Sequence, residues 1–209
     1  RREGCRLAIL CNPNNPTGNC FDPEKLLYVV SRATVPVVVD ETYFEFSGET
    51  LAGAIARHEN LLIIRSFSKA FGAAGLRFGY LLAQPRTALQ VKKTMTAFNL
   101  SLLIQRAVLE VVRGAHRFAP YIEELVSQRE AMVDALLSMG VSAHRTKTNF
   151  IPFTLGERSG ALHDFLTEAG VAVRSVSGHP ILANYLRVSV HSCQNNERFL
   201  SLVKSFTQR

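Results

Sequence analysis

The residues best suited to chemistry fall in three short polar runs in the first half of the chain. Asn12-Pro13-Asn14-Asn15-Pro16-Thr17-Gly18 is the first, Asp40-Glu41-Thr42-Tyr43 the second, and Ser66-Phe67-Ser68-Lys69, with Gly75-Leu76-Arg77 close behind, the third. A lysine amine such as Lys69 can form an imine with an aldehyde and can also move a proton. A carboxylate such as Asp40 can keep a ring nitrogen protonated, so that the ring accepts electrons. Hydroxyl and guanidinium groups such as Ser66, Ser68 and Arg77 can cradle a dianionic phosphate. Asn15 and Tyr43 can donate to an oxygen on the same ring.

Taken singly, each of these has a plainer account. A lone lysine is usually a solvated surface charge. Asp40 after an apolar run is equally a turn former, and every residue from Asn12 to Gly18 favours a turn. Ser66 and Ser68 are ordinary loop hydroxyls, and Arg77 is equally an ion-pair partner. The order and spacing of the three runs carry the weight, not any one residue.

Each run sits at the end of a predicted strand. Leu7-Ala8-Ile9-Leu10-Cys11 is a short apolar run that ends at the first turn, and Val35-Pro36-Val37-Val38-Val39 is a β-branched run that ends at Asp40. Being apolar throughout, the second should be a central strand covered on both faces. Leu61-Leu62-Ile63-Ile64 ends at the lysine run, and Gly79-Tyr80-Leu81-Leu82-Ala83 is a further strand. The link before this last strand is too short for a helical crossover, which predicts an antiparallel pairing. Asp22-Pro23-Glu24 reads as a helix start, for a helix reaching about Ala33. In open α/β sheets, ligands bind beyond the carboxyl ends of strands. Three such ends with polar side chains point to one site.

From about Pro85 to Met139 the pattern is helical, with a break or helix start at Pro120 and a stop at Gly140. A smaller α/β unit follows. Phe150-Ile151-Pro152-Phe153, Val171-Ala172-Val173 and Tyr185-Leu186-Arg187-Val188-Ser189-Val190 read as strands, with helices over about 160–169 and 195–206. The division expected is 1–105 and 106–209, the second part opening on a linking helix.

Of the 209 residues, 47% are apolar and 20% are charged, an ordinary globular composition. No apolar run is long enough for a membrane span. The start, Arg1-Arg2-Glu3-Gly4-Cys5-Arg6, lacks the apolar stretch of a secretory signal, so a cytoplasmic protein is expected. Cys5, Cys11, Cys20 and Cys193 show no C-x-x-C spacing, and no histidines complete a zinc site; they read as free thiols, with no metal expected. The net charge of +7 is spread along the chain rather than gathered into a patch, and no basic recognition helix is present, so neither nucleic acid nor membrane is an expected partner.

Asn-Pro-Asn-Asn-Pro-Thr-Gly, then Val-Val-Val-Asp-Glu-Thr-Tyr, then Arg-Ser-Phe-Ser-Lys-Ala-Phe-Gly-Ala-Ala-Gly-Leu-Arg, in that order, resembles the fold-type I aminotransferases that use pyridoxal 5′-phosphate (PLP). Within them the sequence is most similar to the histidinol-phosphate aminotransferase branch. The resemblance continues through Thr148-Asn149-Phe150, Val171-Ala172-Val173-Arg174 and Tyr185 to Val190. It implies the later part of a PLP-dependent transferase fold: a mostly parallel sheet with flanking helices, plus a small α/β C-terminal domain. It implies amino-group transfer between an amine, histidinol phosphate among the candidates, and a 2-oxo acid such as 2-oxoglutarate. Lys69 would hold the cofactor as an imine and shuttle the proton, with Asp40 and Tyr43 as its catalytic partners. Asp40 would pair with the pyridinium nitrogen, Asn15 and Tyr43 would bond the phenolic oxygen, and Ser66, Ser68 and Arg77 would bind the cofactor phosphate. Arg187, and Arg174 with it, would bind an anionic group on the substrate; for Arg174 the reading as a strand-end surface charge stays open. A homodimer with sites at the subunit interface is implied as well.

Members of this family begin well upstream of residue 1, so the chain is expected to be a piece of a longer protein that does not catalyse transamination by itself. His191-Ser192-Cys193-Gln194-Asn195-Asn196 stands where histidinol-phosphate aminotransferases more often have a Gly-Thr pair. The Asn196-Glu197-Arg198 ending is also similar to threonine-phosphate decarboxylases, which release a carboxylate instead of exchanging an amine. Two further readings stay open: a PLP-binding regulatory domain joined to a DNA-binding domain, and a structural α/β module without a cofactor.

Overall fold

The computed structural model describes residues 4–209; Arg1, Arg2 and Glu3 of the basic N-terminal run lie outside the described residues. The chain divides into two compact units. Residues up to Pro13 together with Cys20–Ala119 make the first, and Asn14–Asn19 with Pro120–Arg209 the second.

The first unit holds a four-stranded sheet in the order β1 (Ala8–Cys11), β2 (Val37–Asp40), β3 (Leu61–Ser66), β4 (Gly79–Leu82). The first three strands run parallel and β4 runs antiparallel to β3, as its short connection requires. Val37, Val38 and Val39 are all buried, the state that a β-branched run without polar alternation demands. β2 starts at Val37 and not at Val35. Pro36 has no N–H to give to a ladder, although its carbonyl accepts the Ala8 N–H at 3.0 Å.

Helix α1 (Pro23–Arg32) starts as its sequence directs. The Asp22 carboxylate accepts the Glu24 N–H, proline occupies the first turn, and Glu24 faces the positive end of the helix dipole. Its Leu26 and Val30, four residues apart and so on one face, pack with Val37, Val39, Leu61 and Ile63. Each such side chain contributes roughly 1.5–3 kcal/mol on full burial. This layer holds the strand ends in register. A short helix α2 (Phe44–Ser47), α3 (Pro85–Lys92) and α4 (Leu102–Arg113) complete the unit. The expected division at residue 105 falls inside α4, whereas the compact units separate at Ala119 and Pro120.

The second unit contains α5 (Ala119–Ser138), β5 (Ser142–Ala143), β6 (Phe150–Thr154), α6 (Ser159–Glu168), β7 (Arg174–Ser175), β8 (Leu186–Ser189) and α7 (Cys193–Thr207). Its sheet is antiparallel throughout, in the order β5-β6-β8-β7. Pro120 lies in the first turn of α5, where a missing N–H leaves no bond unmade.

Helices α5 and α6 end in the same way. Gly140 (φ +75°) and Gly170 (φ +73°) adopt the left-handed conformation, and each next residue folds its N–H back into the helix: Val141 to the Leu136 carbonyl at 3.0 Å, Val171 to the Leu166 carbonyl at 2.8 Å. This corrects the strand expected over Val171-Ala172-Val173. The Val171 N–H is committed to the helix end, and ladder pairing begins only at Arg174. The core between sheet and helices includes Phe153 and Phe199, whose rings meet edge to face at 5.5 Å. Among the described residues no helix is long and apolar enough to cross a membrane.

Candidate active site

The parallel strands of the first unit finish level with one another. Cys11 pairs in register with Asp40, and Asp40 with Ile64. The Asn12 N–H donates to the Asp40 carbonyl at 2.9 Å, and the Glu41 N–H to the Ile64 carbonyl at 2.8 Å. Asp40 therefore leaves the sheet at its carboxyl edge. Its Oδ1 accepts from the N–H of Thr42 at 3.0 Å and from the Thr42 hydroxyl. These bonds fix the direction of the carboxylate and commit one oxygen, leaving Oδ2 for another donor.

Ser66 ends β3 at the same edge, opposite Gly79. The turn that follows is pinned by its apolar members. Phe67 and Ala70 are buried, and the Phe67 ring lies 5.0 Å from those of Phe71 and Phe78. The Gly72 N–H donates to the Lys69 carbonyl and the Ala73 N–H to the Phe67 carbonyl, both at 3.1 Å. Lys69 is thus held by its neighbours while its own side chain stays exposed. Its Nζ lies 5.8 Å from the centroid of the buried Tyr43 ring, which brings the amine to the segment that carries Asp40. The Ser66 hydroxyl accepts the Ser68 N–H at 3.1 Å. Arg77 occupies the left-handed region (φ +51°), and its Nη1 donates to the Ala74 carbonyl. A Cβ on Gly79 would lie 2.8 Å from the Arg65 carbonyl oxygen, so only glycine lets β4 approach here.

Sequence reasoning missed the pair that braces this edge. Glu41, 1% exposed, accepts from Arg65 Nη2 at 2.9 Å and Nε at 3.1 Å, from the Thr50 hydroxyl at 2.8 Å and from the Leu51 N–H at 2.8 Å. The Arg65 guanidinium also lies over the Phe44 ring, 3.6 Å from its centroid. The two partners stand next to Asp40 and Ser66 in the chain. The only hint in the sequence was an acid and a base each adjoining a site residue.

The remaining expected residues belong to the second unit. The run from Asn12 to Gly18, read as one turn, is shared: Asn12 and Pro13 go with the first unit and residues 14–18 with the second. The Lys147 N–H donates to the Gly18 carbonyl at 2.7 Å, and a Cβ on Gly18 (φ +78°) would come within 2.5 Å of the Thr146 side chain. In this unit Arg187 Nη1 donates to the Asn15 Oδ1 at 2.7 Å, and the guanidinium lies 4.7 Å from the centroid of the Phe150 ring. With its oxygen engaged by arginine, the Asn15 amide keeps its NH₂ as a donor.

Arg174 and Arg187 are directly paired across β7 and β8. Like charges at paired positions repel. Both line a pocket of about 780 Å³, together with Arg198, His191 and Asn195, and no acidic residue lines it. Among the described residues no carboxylate pairs with Arg174 or Arg198. Such a cluster suits an anion. Among the described residues no group of three or more His, Cys, Asp or Glu is placed to hold a metal ion, and none of the four cysteines forms a disulfide.

Residues 2–203 match the aminotransferase class I and II family. The chain belongs to that family. Its relatives include a histidinol-phosphate aminotransferase of Caldanaerobacter subterraneus subsp. tengcongensis, 36% identical over 200 residues, covering 95% of this chain and 56% of that protein. The chain thus spans about half the length of the curated relatives it matches. Among solved structures, the histidinol-phosphate aminotransferase of Sinorhizobium meliloti in complex with pyridoxal-5′-phosphate superposes with a TM-score of 0.89 at 23% identity, over 99% of this chain and 58% of that one. The L-threonine-O-3-phosphate decarboxylase of Porphyromonas gingivalis superposes with a TM-score of 0.86 at 25% identity, over 99% and 66%. The fold is therefore the α/β fold of the PLP-dependent aminotransferases.

PLP is the cofactor of this aminotransferase family. The donor set of the first unit fits that molecule. One carboxylate oriented by Thr42, an amine beside Tyr43, and two hydroxyls with a guanidinium are the groups that a protonated ring nitrogen, an aldehyde and a phosphate require.

Proposed function

We propose that this chain carries the cofactor-holding and substrate-reading residues of a PLP-dependent aminotransferase of the histidinol-phosphate type. The reaction is amino-group transfer between a phosphorylated amine or amino acid and a 2-oxo acid, with 2-oxoglutarate as acceptor. The observation that carries this reading is the carboxyl edge of the first sheet, where Lys69 reaches the segment carrying the oriented Asp40 carboxylate.

When bound, PLP supplies an aldehyde that condenses with amines and a ring that withdraws electrons from the carbon next to the nitrogen. In this reading Asp40 Oδ2 accepts from the ring N–H and keeps it protonated. Tyr43 of the first unit would donate to the phenolic oxygen, the role that the resemblance also gives to the Asn15 NH₂. Ser66, Ser68 and Arg77 take the phosphate, with the Ser68 N–H already ordered by the Ser66 hydroxyl. Lys69 Nζ would be the amine that bonds the aldehyde and the base that moves the proton. Arg187 and Arg174 hold the anionic end of the substrate, and the anion relieves their mutual repulsion.

Exposed apolar residues of the first unit, among them Phe98, Leu102 and Leu103, fit a homodimer. A cytoplasmic location is part of this proposal.

The test is spectroscopic. Adding PLP to the chain gives the absorbance band of a protein-bound imine, and Lys69→Ala abolishes it. A band of equal strength in the alanine variant defeats the reading. The second reading is a threonine-phosphate decarboxylase, favoured by the Asn196-Glu197-Arg198 ending and by the Porphyromonas gingivalis neighbour. Carbon dioxide release against 2-oxo acid formation by the full-length protein separates the two.

A further inference from the structure

We infer that His191 is a further specificity-determining residue of the second unit's anion pocket: an Nε2–H donor that favours a phosphate group over a carboxylate. The inference rests on the reading of Arg174 and Arg187 as the ligands of the substrate's anionic group.

His191 is fixed more firmly than an exposed histidine needs to be. Its main chain is held from both sides by one side chain. The His191 N–H donates to the Asn196 Oδ1 at 3.0 Å, and the Asn196 Nδ2 donates to the His191 carbonyl at 2.9 Å. Asn196 is itself 3% exposed, so this clamp cannot swing. The ring is fixed separately, because the Asn195 Nδ2 donates to His191 Nδ1 at 2.8 Å. An imidazole that accepts at Nδ1 carries its proton on Nε2. Nε2–H is then a donor on a residue that lines the pocket.

Arg198 lies on α7, one turn after Asn195. Its Nη2 donates to the Ala169 carbonyl at 2.6 Å, which fixes the guanidinium at the pocket wall. The pocket thus gathers three guanidinium groups, the His191 Nε2–H, two asparagine amides engaged on His191, and no acid. A carboxylate has two oxygens and one charge, and the paired Arg174 and Arg187 are enough for it. A phosphate monoester presents three terminal oxygens and up to two charges, and so has positions left for a third guanidinium and for Nε2–H.

Site-resolved NMR on the whole 209-residue chain tests this without catalysis. Inorganic phosphate and acetate are titrated while the His191 Nε2 and the Ser68 amide are followed, so that the pocket and the cofactor-phosphate residues report separately. Phosphate is expected to move the His191 Nε2 resonance. His191→Ala should weaken phosphate at the pocket by about three- to tenfold and leave acetate within about twofold. Asn195→Ala, which keeps the imidazole but releases it, should give a smaller loss in the same direction. Retained spectral dispersion shows that each variant is folded. If Arg187→Ala abolishes phosphate binding at the pocket while His191→Ala leaves it unchanged, the role of His191 is overturned and the proposed function stands. If phosphate moves only the Ser68 amide, both the role of His191 and the anion assignment of Arg174 and Arg187 fall.

Discussion

Truncating Glu41 should unfold the edge of the sheet on which the cofactor residues stand. In Glu41→Ala the carboxylate disappears from a position that is 1% exposed, and four donors lose their acceptor. Arg65, whose side chain is only 12% exposed, is left as an uncompensated charge. Removing one member of a buried ion pair costs about 3–5 kcal/mol, a large share of the 5–15 kcal/mol that a domain of this kind typically has. Glu41→Gln should cost less, because an amide oxygen still serves the Leu51 N–H while the charge is lost. Replacing both partners by apolar residues of similar size, Glu41→Leu with Arg65→Met, should recover most of the loss, since an apolar pair needs no acceptors. Urea unfolding followed by circular dichroism gives the stabilities of the parent and the three variants. A Glu41→Ala chain within about 1 kcal/mol of the parent would refute the buried-pair account.

Gly18→Ala places a methyl group within 2.5 Å of the Thr146 side chain at a φ of +78°; it should lower stability by about 1–3 kcal/mol, read as a reduced urea midpoint. Burial is the largest influence on Glu45 and raises its pKa, and its Oε2 has no partner. A raised acid pKa means that the folded state holds its proton longer than the unfolded state, so stability falls as pH climbs out of the ordinary carboxylate range. Glu45→Gln should therefore stabilise the chain at pH 7 relative to the parent, with the gain shrinking as pH is lowered into the ordinary carboxylate range, followed by thermal melts across pH. Burial first, and then the negative charge of Asp40, raise the pKa of the Cys11 thiol. Asp40→Asn should thus speed alkylation of Cys11 relative to that of the exposed Cys5, as read by peptide mass spectrometry.

Much of the first unit's fold was legible because its elements follow from local geometry. Asp22, Pro23 and Glu24 specify the start of α1 whatever packs around it, and the unbroken valines before Asp40 can only be a strand covered on both faces. The short link ahead of Gly79 left β4 no way to run parallel. The lysine turn was recognisable because serine, lysine and glycine follow one another at fixed spacing.

Other features depend on pairings that no local run encodes. Arg174 and Arg187 are thirteen positions apart in sequence, and only the β7–β8 register sets them side by side. Val171-Ala172-Val173 has the composition of a strand, but its first N–H is spent on the end of α6. Glu41 and Arg65 look like surface charges until β2 and β3 pair and bury them. The clamp of Asn196 on His191 exists because α7 begins where β8 stops. The sequence by itself determined the strands of the first unit, the start of α1 and the order of the chemical groups, because these follow from backbone preference and hydrophobic pattern. Tertiary structure alone decided which charges face one another and which are buried, because those depend on register and on long-range pairing.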